Sequence, residues 1–340
     1  MSRKPRKRPP TMSDIAHMAG VSRTTVSFVL NNHAASAGIP PETRNRILEA
    51  AKNLSYRPNL AAKTLNTRQT HAIGFITDNI ATTPFAGNII KGAQDVAWDH
   101  GKLLLIVNTG SDVAVKEMAV EMMLERQVEG IIYAAMYHQE VTVSANLYDL
   151  PTVLLDCFCA DGSLPSVIPD EIQGGRTATE VLLRKGHRRI GFINAIHPLP
   201  ASVGRLEGYK QALQAFGIPF DEHLVRTHTN ESKGGYQGVL ELLELPEPPT
   251  AIFCFSDFVA MGAYDALRIR GISIPKDIAV MGFDNHELIA AQLLPPLSTM
   301  QLPHYEMGRR ALTYLFEHND ESLPLVQYKV ECPYIERESI

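Results

Sequence analysis

The chain has one tryptophan and four cysteines among its 340 residues. The cysteines, Cys157, Cys159, Cys254 and Cys332, have no Cys-x-x-Cys spacing and lie in or beside apolar runs. That argues against a zinc site or a disulfide framework and for buried, reduced thiols of a cytoplasmic protein. No apolar run approaches the roughly 20 residues of a membrane span. The Arg/Lys/Pro-rich start has no apolar segment behind it, so it does not read as a secretion signal. There is no Gly-x-Gly-x-x-Gly, no Gly-Lys-Ser/Thr phosphate loop and no Gly-x-Ser-x-Gly elbow. Nothing therefore recommends an enzyme, and no catalytic residue, cofactor or metal site is assigned.

What is present is a separation of charge. Residues 1–68 carry 12 Lys plus Arg against 3 Asp plus Glu, a net of +9; the remainder carries 20 against 34, a net of −14. A basic head on an acidic body is the footprint of a nucleic-acid-binding module attached to a domain that avoids nucleic acid. At this length two or three domains are expected.

The head contains a helix-turn-helix pattern. Thr11 and Asp14 have the spacing of a capping box. Ile15, Met18 and Ala19 form one apolar face, and Gly20 supplies a left-handed stop. Ser22 caps a second helix in which Val26, Val29 and Leu30 point inward. Arg23, Thr24, Ser27, Phe28 and Asn31 are left outside. Two short helices with a tight glycine turn and a polar outer face suit a DNA major groove.

Residues 1–10 form a basic, proline-broken tail expected to be disordered when free. A loop from His33 to Pro40 precedes a third helix that starts at Pro41 and buries Ile47, Ala50, Ala51 and Leu54, with Tyr56 closing the small core. The segment Asn59–Asn66 has helical composition but only about two turns, which is marginal in isolation. From Ala72 onward, Ile/Val/Leu runs alternate with helical stretches. Strands are expected at 72–77, 103–108, 130–135, 152–156, 190–194, 251–255 and 278–282. Helices are expected near 85–100, 115–126, 173–185, 205–216, 235–244 and 258–270. Such alternation means parallel sheets covered on both faces. Ligands of open α/β sheets bind beyond the carboxyl ends of the strands, which directs attention to Asp78, Asp156, Asn194, Ser256, Asp257 and Asp284.

These residues together resemble the LacI–GalR family of bacterial transcription regulators. The resemblance runs from Thr11 to about Ser339. In the head it rests on Asp14-Ile15-Ala16, Ala19-Gly20-Val21-Ser22, Thr25-Val26-Ser27, Val29-Leu30-Asn31 and Tyr56-Arg57-Pro58-Asn59. In the body it rests on Ile73-Gly74, Pro84-Phe85, Val128-Glu129-Gly130-Ile131-Ile132, Gly186-His187-Arg188, Arg205-Leu206-Glu207-Gly208-Tyr209 and Gly282-Phe283-Asp284-Asn285. It implies an all-α headpiece (11–58), a hinge helix and linker (59–70), and an α/β body (71–340) like a periplasmic binding protein, with two subdomains of parallel sheet joined by three crossovers. The N-subdomain would span about 71–168 and 301–328, the C-subdomain about 169–300 and 329–340. It further implies a homodimer on a near-palindromic double-stranded DNA operator and a small-molecule effector, a carbohydrate or alternatively a purine, in the cleft. The chain departs from the family at Phe28, where arginine is common, and at Ala86, where a second phenylalanine is common.

Arg23, Thr24 and Phe28 are the base-reading candidates; Phe28 offers apolar contact where arginine would bond to guanine. Ser13, Ser22, Thr25, Ser27 and Asn31 suit phosphates or helix caps. By resemblance the hinge residues Asn59, Ala62 and Leu65 reach DNA as well, Leu65 as an apolar wedge in the minor groove. Arg205 and Asp284 are the leading effector contacts, set against a structural ion pair between subdomains. Asp78, Phe85, Asp156 and Asp257 are further candidates. Trp98 reads as core and His187 as a local cap. A sugar-converting enzyme and a secreted solute-binding protein are the competing classes.

Overall fold

The computed structural model describes residues 8–31, 34–57, 70–83, 86–110, 112–317 and 326–340. It divides into two compact units, 1–70 and 71–340. The expectations for Phe85 and for Asn59, Ala62 and Leu65 lie outside the described residues.

Among the described residues the first unit holds three α-helices: α1 (Met12–Ala19), α2 (Arg23–Leu30) and α3 (Pro41–Asn53). The capping box at the start of α1 is complete. Thr11 N donates to Asp14 Oδ2 at 2.7 Å, and Asp14 N donates back to Thr11 Oγ1 at 3.4 Å. Gly20 ends α1 at φ +64°, a conformation that costs other residues steric strain. Ile15, Ala16, Ala19, Val26, Val29, Ile47 and Ala50 are buried together, with Leu30, Ala51, Leu54 and Tyr56 packed around them. Met18, expected in this core, is instead 53% exposed. The face of α1 that meets its neighbours runs through Ile15, Ala16 and Ala19, and Met18 falls beside it. The expected loop before α3 contains a 3-10 turn, Ala34–Gly38.

Among the described residues the second unit has two six-stranded sheets, each covered by helices. The first lobe contains β1 (Ala72–Thr77), α4 (Gly87–Asp99), β2 (Leu103–Asn108), α5 (Val113–Glu125), β3 (Ile131–Glu140), β4 (Thr152–Phe158) and β5 (Ser166–Pro169). The second contains α6 (Glu171–Arg184), β6 (Ile190–Ala195), α7 (Pro200–Ala215), β7 (Val225–His228), α8 (Ser232–Leu243), β8 (Ala251–Cys254), α9 (Asp257–Ile269), β9 (Ala279–Asp284) and β10 (Ser298–Gln301). The chain then returns to the first lobe for α10 (His304–Glu317) and β11 (Gln327–Val330), and ends in the second with β12 (Tyr334–Ile335). The first sheet is ordered β11-β5-β4-β3-β1-β2 and is parallel throughout. The second is ordered β12-β10-β9-β8-β6-β7, with only β12 antiparallel.

Three segments thus cross between lobes: after Pro169, after Gln301 and after Val330. Because β11 pairs with β5 through Val330, the last crossing falls two residues beyond the expected 328/329 boundary. Helix α10 belongs to the first lobe because it lies against α4 at near-contact distance. A Cβ at Gly92 would fall 2.0 Å from the Tyr305 carbonyl oxygen, and one at Gly308 2.0 Å from that of Ile89. Trp98, expected in the core, is 63% exposed; the buried face of α4 is Ile89, Gly92, Ala93, Val96 and Ala97. His187 is not a purely local cap, since its Nδ1 pairs with Thr250 Oγ1 at 3.0 Å at the edge of β8. All four cysteines are free thiols. No described helix is long and apolar enough to cross a membrane.

Candidate functional site

Two sets of residues are candidates to carry the chemistry, one in each unit. In the first unit, α2 presents Arg23 and Thr24 fully outward, with Ser22 at its start. Phe28 and Ser27 are half-buried on the same helix. The small polar groups pair along it: Thr25 N donates to Ser22 Oγ at 3.1 Å, and Asn31 Nδ2 donates to Ser27 Oγ at 3.2 Å. Ser13 is exposed in the first turn of α1. The arrangement leaves a guanidinium and a hydroxyl projecting from a rigid, capped helix, which is what a groove-reading element requires.

In the second unit Asp156 of β4 and Asp284 at the end of β9 come together with Arg205 of α7. Arg205 is 2% exposed. Its Nε donates to Glu171 Oε2 at 2.7 Å and its Nη2 to Glu171 Oε1 at 3.4 Å, while Nη1 donates to the Phe255 carbonyl. Asp284 Oδ1 is 3.7 Å from Nη1. The guanidinium lies between two aromatic rings, 3.6 Å from the Phe283 centroid and 4.4 Å from that of Phe255. Burial opposes its charge, but Glu171 and Asp284 outweigh burial and raise its pKa. The expected ion pair therefore exists in another form. Its main partner is Glu171, at the start of α6, and the pair lies within one lobe rather than between two.

Asp156 and Asp284 share two properties. Both have left-handed backbones, φ 56° and 105°, which non-glycine residues adopt at a cost and which cluster at functional sites. Both have carboxyl pKa values held well above the ordinary range, first by burial and then by neighbouring carboxylates, with Arg205 opposing. A carboxyl that keeps its proton can donate as well as accept a hydrogen bond.

The other strand-end residues already have partners. Asp78 accepts from Met136 N at 2.9 and 3.1 Å and so holds β3 where its register with β4 changes. Asp257 is fully buried behind Asp284 and accepts from His286 N at 2.6 Å and Thr299 Oγ1 at 2.7 Å. Burial pushes its pKa up to about 7. Asn194 donates to the Ser202 carbonyl at 3.0 Å, and Ser256 caps α9 while bonding to Asn230. A cavity of about 260 Å³ opens beside the cluster, lined by Asn88, Asp284, Asn285, His286, Gln301 and Tyr305. That is close to the lower end of the range for small-molecule pockets, about 300–1,000 Å³. Sequence reasoning missed Glu171 and His138. Glu171 follows a four-residue strand that carries no strong periodic signal, and His138 sits at an irregularity within β3.

Two family descriptions match the chain. "Bacterial regulatory proteins, lacI family" matches residues 11–59, and "Periplasmic binding proteins and sugar binding domain of LacI family" matches residues 70–338. The chain belongs to the LacI family. It is a DNA-binding transcriptional regulator and not an enzyme. It is 34% identical over 332 residues to the HTH-type transcriptional regulator RegA of Clostridium saccharobutylicum, covering 97% of this chain and 98% of that protein. It is 32% identical to the ribose operon repressor of Haemophilus influenzae, covering 90% of this chain and 91% of the repressor. Among solved structures, the lac repressor dimer bound to operator and an anti-inducer superimposes with a TM-score of 0.79 at 25% identity, covering 98% of this chain and 99% of that one.

Proposed function

We propose that this LacI-family protein is a repressor that binds a near-palindromic operator as a homodimer and whose operator affinity is set by a small molecule, of the sugar class, held between the lobes of the body. The observation that carries this reading is the joining, in one chain, of a capped helix-turn-helix with an outward Arg23 and a two-lobed body in which Asp156 and Asp284 of the strands meet Arg205 of α7. Arg23, Thr24 and Phe28 read bases; Ser13, Ser22, Thr25, Ser27 and Asn31 position the helix on phosphates or cap it. Asn59, Ala62 and Leu65 act at the minor groove, where an apolar wedge kinks the duplex. Asp156, Arg205 and Asp284 meet the effector, Phe85 adds an aromatic wall, and Asp78 and Asp257 hold the loops that carry these groups. The protein works in the cytoplasm, at the nucleoid, where its operator lies.

The mechanism follows from linkage. A ligand that favours one angle between the lobes changes the spacing of the two hinge segments in the dimer, and with it their fit to DNA. Ligand and operator must then alter each other's affinity by the same factor. Fluorescence anisotropy of labelled operator, titrated with and without ligand, should give the same ratio as calorimetric ligand titrations with and without operator. A ligand that leaves operator affinity unchanged would remove the regulatory part of this reading.

A further inference from the structure

One buried polar side chain at this site stands without a partner. His138 is 8% exposed, and neither ring nitrogen has a hydrogen-bond partner among the described residues. Its position is built rather than incidental. Pairing of β3 with β4 changes register between Ala134 and Gln139, and Tyr137 in that gap adopts φ 65°. The bulge places Tyr137 largely in solvent, 56% exposed, and turns His138 inward. The imidazole rests edge-on against Phe158, two residues past Asp156, with centroids 5.6 Å apart. Helix α7, which carries Arg205, packs against β3, and the ring senses the charges of Glu171 and Arg205.

A buried ring with no partner bears its full desolvation cost for no return within the protein. A ligand would supply that return. The charges around the ring restrict what the ligand can be. Arg205 is the buried cation of the cluster, and the carboxylates of Glu171 and Asp284 already balance its charge. Lys329, which the ring also senses, stands exposed on β11, and Lys116 borders a separate cavity with Asp78. Asp156 and Asp284, ionised or protonated, bring no positive charge to hold an anion. Burial keeps the His138 ring neutral, so it offers one donor and one acceptor rather than a positive charge.

We infer that His138 is an effector-contacting, specificity-determining residue, and that it pairs with a hydroxyl of an uncharged, hydroxyl-rich effector that carries no phosphate or carboxylate. This rests on the reading that the cleft holds the effector. The site is then arranged to accept the parent sugar or nucleoside and reject its phosphorylated form.

The test uses the full chain at pH 7.5 and a panel of D-ribose, D-glucose, N-acetylglucosamine, cellobiose, adenosine and cytidine. Each of these except cellobiose is paired with its phosphorylated counterpart, and gluconate is included. Thermal shift finds the binders and calorimetry measures them. At least one neutral compound should bind, with its anionic counterpart at least about tenfold weaker. His138→Leu should weaken the neutral binder about five- to tenfold, the loss of one hydrogen bond, without lowering the melting temperature of the ligand-free protein. His138→Gln, which keeps a donor and an acceptor, should recover part of the affinity. Failure of every neutral compound would overturn the proposal. So would equal binding of the anionic forms, or an affinity unmoved by His138→Leu, or a lower ligand-free melting temperature in that variant. A neutral compound that binds through His138 yet leaves operator affinity unchanged would instead defeat the regulatory reading and leave this one standing.

Discussion

Arg205→Ala is the most informative perturbation of the cleft, because the structure predicts a cost that has nothing to do with a ligand. The substitution strips the guanidinium from Glu171, whose side chain is 5% exposed, and also removes it from between Phe255 and Phe283. An unpaired carboxylate is left in a buried site. Breaking a buried pair from one side typically costs about 3–5 kcal/mol. For a body of this size each kcal/mol moves the melting temperature by about 2–4 °C, so a fall of roughly 6–20 °C is expected. Removing both charges should behave differently. In Glu171→Met/Arg205→Met the desolvation penalty disappears with the ions, and most of the lost stability should return. The coupling between the two sites would then be on the order of 2 kcal/mol or more. Urea denaturation followed by far-ultraviolet circular dichroism measures this; Trp98 is too exposed to report on the core. A loss under about 1 kcal/mol for Arg205→Ala would refute the reasoning, since a buried pair broken from one side costs several times that. A double variant as unstable as the sum of its parts would refute it equally.

Two further outcomes follow from groups outside that pair. Asp257, ordinarily near 3.8, is pushed up to about 7, so the folded protein binds its proton more tightly than the unfolded chain does. That contribution is present at low pH and is lost as pH rises from about 4 to about 7. Asp257→Asn cannot titrate but can still accept from His286 N or the Thr299 hydroxyl. The stability of the wild type relative to this variant should therefore fall across that window, by at most about 1.4 kcal/mol per pH unit; a gap that does not change with pH would contradict the assignment. In the headpiece, the +9 of residues 1–68 should make DNA binding weaken steeply with salt through counterion release, and a nearly flat plot of log affinity against log salt would show that this unit does not carry the contact.

Much of the fold is legible where local signals are self-sufficient. The Thr11/Asp14 box, the Gly20 stop and the Ser22 cap each depend on residues within four positions, and all appear as read. The long apolar strands β1 and β2 begin and end where their Ile/Val/Leu runs do. The short strands β5, β7, β10, β11 and β12 are not visible in the sequence. Each has four residues or fewer, and each is a strand only because a neighbour pairs with it. Helix α10 is absent from the sequence reading although Met307, Ala311, Leu312 and Leu315 recur at helical spacing on its buried face. Trp98 and Met18 show that an apolar side chain on a helix is not thereby in the core; the packed face decides. The cleft is half visible. Asp156 and Asp284 follow from the strand-end rule, and Arg205 from the family pattern. The partnership of Arg205 with Glu171, and the orphaned ring of His138, depend on how separate elements meet in space, and sequence spacing does not record that.

The central claim is sequence-specific recognition of DNA by the head of this chain, and selection from a random-sequence duplex library tests it with no operator chosen in advance. The full chain should enrich a site with two related half-sites in inverted orientation. Phe28→Arg should enrich a different base at one position in each half-site, because arginine can bond bidentately to guanine and a good pair discriminates by about 1–3 kcal/mol. Enrichment of no common sequence, or of the same sequence by both proteins, would contradict the account: the first removes specific recognition, and the second removes Phe28 from the bases.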